Sequence, residues 1–69
     1  MGEQAGLPEY HVIATPSDGG YRIDVVDLGS TQTHETGREA VERAARDYIS
    51  MLLGVPADRF RVTVEFKDS

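Results

Sequence analysis

TQTHETGREAVERAARDYISMLLG, residues 31–54, decides the fold, because it carries the chain's one helical pattern, with three strand-like segments before it and one after. Thr36 is the expected N-cap: its hydroxyl can accept a bond from the amide of Glu39, whose side chain can reach back to the cap amide, forming a capping box. Downstream, Val41, Ala44, Ala45, Tyr48, Ile49, Leu52 and Leu53 recur at three- and four-residue spacing, predicting one buried stripe. Arg38, Glu39, Glu42, Arg43, Arg46 and Asp47 fill the opposite side. The i,i+4 pairs Glu39/Arg43 and Glu42/Arg46 are worth only about 0.3–0.5 kcal/mol each and read as solvated surface. Gly54 supplies a left-handed stop, and Pro56 prevents the helix from resuming.

Residues 10–15 and 21–26 have strand composition, and the SDGG between them predicts a hairpin turning at Asp18-Gly19. With Ser17 facing Gly20, Val12 falls opposite Val25 and Ala14 opposite Ile23, so apolar meets apolar on one face. The same register puts Pro16 in a non-hydrogen-bonded pair and places Ile13, Asp24, Thr15 and Arg22 on the other face.

A third strand over residues 31–35 has almost nothing apolar to bury and is expected at an edge. After the helix, Phe60, Val62, Val64 and Phe66 alternate with Arg61, Thr63, Glu65 and Lys67, the pattern of a half-buried strand. A helical crossover then favours a last strand parallel to the first. The expectation is an α+β fold, β-β-β-α-β, with one helix on a four-stranded mixed sheet ordered 3-2-1-4.

At 69 residues with no cysteine, residues 10–67 make a single small domain without disulfides or a Cys-based metal site, preceded by a flexible tail over residues 1–9. Such a size favours oligomerisation, and an edge strand bearing Val62, Val64 and Phe66 offers a route to a homo-oligomer, first of all a dimer. The first residues lack the basic and apolar regions of a signal peptide, and no apolar run reaches membrane length, so a soluble cytoplasmic protein is expected.

The formal net charge of −5 disfavours direct binding to nucleic acid, which rests on clustered cations, and suits a basic protein partner. Catalytic signals are thin. His11 and His34 sit on different strands without metal-ligand spacing; His11 reads as a sheet-surface residue opposite Val26, and His34 as a lone exposed residue beside Glu35. Asp24 and Asp27 sit on and just after a central strand, where two carboxylates could hold Mg²⁺ in a nuclease, but a separation of three in an extended chain points them to opposite faces. No enzymatic activity, cofactor or metal is expected.

Read in order, the residues from Tyr10 through Ile49 resemble the HicB-like antitoxins: a Tyr-headed strand, an Asp18-Gly19-Gly20-Tyr21 hairpin, Asp27-Leu28-Gly29 after the second strand, Thr31-Gln32, and Thr36, Glu39 and Ala40 opening the helix. That resemblance implies a truncated ribonuclease-H-like unit lacking the catalytic carboxylates. It also implies a non-enzymatic interaction module that binds and neutralises a small basic RNA-cleaving, HicA-like toxin. On this reading Asp24, Asp27 and Glu35 are candidate partner contacts. The alternative is a stand-alone self-associating assembly protein with no toxin partner. Two features depart from the family pattern: Gly37 in the expected first helical turn, which weakens it by up to about 1 kcal/mol relative to alanine, and a fourth strand with no DNA-binding module after it before Ser69. Autoregulation through direct DNA binding is therefore not expected.

Overall fold

The structure, a computed structural model, describes residues 6–67. Its strands are β1 (Glu9–Ser17), β2 (Gly20–Val25), β3 (Ser30–His34) and β4 (Arg61–Phe66), and its helix is α1 (Val41–Leu53). They form one sheet in the order β3-β2-β1-β4, with α1 on one face: an α+β fold with three strands before the helix and one after. β2 runs antiparallel to both β1 and β3, whereas β4 lies parallel to β1, as the crossover predicts. Of the expected tail, residues 1–5 lie outside the described residues. Its last residues join the sheet: β1 begins at Glu9, and the Pro8 carbonyl accepts the Arg61 amide at 2.8 Å.

The hairpin register agrees with the apolar arithmetic, pairing Ser17 with Gly20, Ala14 with Ile23 and Val12 with Val25. Gly19 takes φ +76° while Asp18 does not enter the positive region, which excludes the I′ and II′ turns and fits type II, where the second central residue needs φ > 0. Gly20 is required for a different reason. The end of β3 crosses it so closely that a Cβ there would stand 2.0 Å from the His34 carbonyl oxygen.

The sheet contributes Val12, Ala14, Ile23 and Val25 to the core, the helix Val41, Ala45, Tyr48 and Ile49, and the loop before β4 adds Phe60. The helix runs antiparallel to β1. Just before its start the Arg38 guanidinium lies 4.0 Å over the Phe66 ring at the end of β4, and in its middle Arg46 lies 5.8 Å from Phe60 at the head of β4, whose ring meets Tyr10 edge-on. Leu52 departs from the expected stripe. It continues the row of Val41, Ala45 and Tyr48, yet it is 42% exposed, whereas its neighbour Leu53 packs against the core.

The helix also starts differently. A 3₁₀ turn, Arg38–Ala40, precedes α1, and neither Gly37 at the head of the turn nor Ala40 at the head of the helix makes a side-chain cap. Extended backbone at Gly37 (φ −77°, ψ 166°) separates Thr36 from the first turn, so the expected capping box does not form. Instead the Glu39 carboxylate folds back over Gly37, where a Cβ would lie 2.7 Å from its oxygen. Turned off the α-helical surface, Glu39 forms no pair with Arg43, whereas Glu42 and Arg46, both inside the helix, pair at 3.6 Å. The C-terminal stop is as expected: Gly54 adopts φ 71°, and its amide donates to the Ser50 carbonyl at 2.8 Å.

Candidate partner interface

The helix covers one sheet face, and no described element covers the other. That open face carries Glu9, His11, Ile13 and Thr15 from β1, Arg22 and Asp24 from β2, Thr31 and Thr33 from β3, and Arg61, Thr63 and Glu65 from β4, with the Thr63 hydroxyl donating to the Glu9 carboxylate. Asp24 stands within it, opposite Thr31. One Asp24 oxygen accepts the Thr31 hydroxyl, and the other accepts Arg22 Nε at 3.3 Å. The carboxylate is held in place by its own sheet, with lone pairs still directed to solvent.

Asp27 closes one end of the sheet. β2 stops at Val25, where the chain enters a 3₁₀ turn (Val26–Leu28) ended by Gly29 at φ 63°. The His11 amide points towards β2 but finds no strand partner there, and Asp27 Oδ2 accepts it at 2.6 Å while lying 3.4 Å from His11 Nδ1. His11 thus meets Asp27 rather than the expected Val26, because the strand ends one residue early. The backbone bond from His11 is the main reason the Asp27 carboxyl lies below the usual aspartate value, with the His11 side chain adding to it.

Glu35 follows β3 and is exposed, with no hydrogen bond or ion pair among the described residues. It lies near the Tyr21 end of β2 and Asp27 near the Val25 end, so the two stand roughly 20 Å apart by strand rise. Asp27 and Glu35 are therefore separate points, and no cluster of three or more potential metal ligands occurs among the described residues.

β4 is a sheet edge, and Val62, Val64 and Phe66 on its helix-side face are half-buried. Phe66 is committed to its own domain, edge-on to Tyr21 at 5.7 Å and under Arg38. Val62 and Val64 have no such cover, although both pack against the core.

Two residues have roles their local patterns did not suggest. His34, expected to be exposed, pairs with Tyr21 and so shares its face; the imidazole packs edge-on against Tyr48 at 6.3 Å, leaving Nε2 buried without a hydrogen-bond partner. Extending the hairpin's alternation into β3 is the signal that finds it, since Ser30, Gln32 and His34 then face the helix. Arg46, expected as solvated surface, donates from Nη1 to the Ala57 carbonyl at 2.7 Å and the Phe60 carbonyl at 3.3 Å, tying the loop before β4 to the helix. Its i,i+4 pattern contains no sign of those distant acceptors.

No pocket opens among the described residues, and no helix among them is long and apolar enough to cross a membrane. The surfaces on offer are a polar sheet face and two strand edges. Compared with known proteins, the chain matches no family model, no curated protein and no solved structure.

Proposed function

We propose that this chain is a non-enzymatic protein-interaction module, a HicB-like antitoxin that binds and neutralises a small basic RNA-cleaving, HicA-like toxin in the cytoplasm. The observation that carries the reading is the one-sided covering of the sheet, which leaves a broad polar face on a chain with 12 acidic and 7 basic side chains. A flat polar surface suits a protein better than a small ligand, and the excess of carboxylates over the whole chain favours a basic one, since complementary potential speeds and orients such an encounter. The β-β-β-α-β order agrees with the fold implied by the residues from Tyr10 to Ile49.

Within this proposal the three carboxylates have different parts. Glu35 is free to pair with an incoming cation, whereas Asp24 and Asp27 are held by Thr31, Arg22 and His11 and offer pre-oriented acceptors. Carboxylates meeting the toxin's cations would occupy the surface on which RNA phosphates otherwise bind. A tagged pull-down from the native host, with bound proteins identified by mass spectrometry, tests the proposal. The expected result is a stoichiometric small basic protein that is toxic when expressed alone, with retention weakening as salt rises. Recovery of the bait alone would overturn it.

A further inference from the structure

We propose that β4 is the seam of a symmetric homodimer, in which two copies of Arg61–Phe66 pair antiparallel about Thr63 to join the sheets into one of eight strands. The pairing does not depend on the antitoxin reading. It rests on the direction of the backbone groups and on the order of side chains along one edge.

The Arg61 amide donates to Pro8 and the Lys67 amide to Ala14, so by strand alternation the odd-numbered residues of β4 direct their amides and carbonyls towards β1. Val62, Val64 and Phe66 then direct theirs outwards, along an edge without proline. An antiparallel copy centred on Thr63 places Val62 opposite the partner's Val64, so these outward groups form hydrogen-bonded pairs. Arg61 then faces the partner's Glu65, and Thr63 faces its own counterpart, in the closer non-hydrogen-bonded positions where side chains interact best. By symmetry there are two Arg61–Glu65 ion pairs on the open face and two Val62–Val64 contacts on the helix face, both valines being half-buried in the single copy.

Neighbouring registers lack this agreement. Centring on Val64 sets Arg61 against Lys67, centring on Glu65 opposes two glutamates, and centring on Arg61 opposes two arginines. Centring on Val62 leaves Glu65 facing Arg59, beyond the strand. A shift by half a step would oppose valines to charged residues. Arg61 has no ion-pair partner among the described residues, and Glu65 has only the exposed Lys67 at 3.9 Å, a contact too weak to compete strongly. The other edge, β3 (STQTH), offers neither an apolar side nor opposite charges.

Sedimentation equilibrium on the full chain tests the pairing through three variants. Arg61→Glu and Glu65→Arg should each weaken the dimer by about tenfold or more by setting like charges opposite one another, and the double variant R61E/E65R should restore it. Amide exchange on the unaltered protein supplies a readout independent of variant folding. The Val62 and Val64 amides should gain protection as concentration rises, while those of Thr63 and Glu65 stay protected throughout. A monomer up to ~1 mM, a dimer in which the single charge reversals have no effect, or Val62 and Val64 amides whose exchange ignores concentration would each overturn the proposal.

Discussion

Gly20→Ala should be among the most damaging single changes in this domain, though it adds only one methyl group. The new Cβ would lie 2.0 Å from the His34 carbonyl oxygen, 2.8 Å from Glu35 Cα and 2.9 Å from the His34 carbonyl carbon. All three are backbone atoms, so no rotamer change relieves the overlap. Restoring an ordinary carbon–oxygen separation of about 3.3 Å requires the end of β3 to retreat by about 1.3 Å. That movement opens the Tyr21–His34 pair and draws the imidazole away from Tyr48. Overpacking of this kind costs about 1–3 kcal/mol and a disrupted backbone hydrogen bond about 1 more, giving an expected loss near 3 kcal/mol.

A chain of this size has roughly 3–10 kcal/mol of stability in total, so the variant forfeits a third or more of it and should melt about 12–24 °C lower. Gly19→Ala is the matched control. A Cβ at Gly19 meets nothing within 4 Å, but its φ of +76° penalises any L side chain, by about 1 kcal/mol. Urea and thermal unfolding followed by circular dichroism would rank the two. If Gly20→Ala were no more destabilising than Gly19→Ala, close backbone approach would not be what requires Gly20.

Three further changes probe the other supports of the fold. Arg46→Met keeps the apolar stem but strips the bonds to the Ala57 and Phe60 carbonyls, and should cost about 2 kcal/mol in equilibrium unfolding; an effect below about 0.5 kcal/mol would return Arg46 to the solvated surface. His34→Phe should stabilise by about 1 kcal/mol, since it keeps the edge contact with Tyr48 and removes a buried nitrogen without a partner, and a lower unfolding midpoint would point to an unseen bond at Nε2. Asp27→Asn should flatten the acid limb of the stability profile. Asp27 has a folded pKa below its ordinary 3.8, so its contribution is present above that value and lost as pH falls through the folded one; an unchanged acid limb in pH-dependent unfolding would refute the link.

What was legible in the chain follows from how many residues constrain each feature at once. The hairpin register satisfied several conditions together: a turn at Asp18-Gly19, two apolar pairs and a harmless site for Pro16. A slip of one residue would break them all, so the register is legible; the sheet order follows separately, from the helical crossover before the last strand and the apolar-poor third segment at an edge. The helix start hung on a single capping residue, and the extended backbone at Gly37 was enough to displace it. Asp27 and Arg46 act on groups 16 and 11 or more residues away, one at an amide left over where a strand stops and the other at carbonyls of a loop. No local spacing encodes such partners.

The β4 edge combines both kinds of information. Its alternation of Arg61, Thr63 and Glu65 with Val62, Val64 and Phe66 is visible in the sequence, but by itself says only that the strand is half-buried. Topology adds that no described strand pairs with the far side of β4, and the bonds from Arg61 and Lys67 to β1 add that the valine positions direct their backbone groups outwards. With those two facts, opposite charges spaced evenly about Thr63 become self-complementary under a two-fold axis. A continuous sheet would also extend the polar face without closing it, since the helices of both copies would remain on the opposite side. Dimer formation and capture of a basic partner on that face are therefore geometrically compatible: each single charge reversal at Arg61 or Glu65 should lose self-association, and the double variant R61E/E65R, which conserves the charge of the face, should regain it and keep partner capture through Asp24, Asp27 and Glu35.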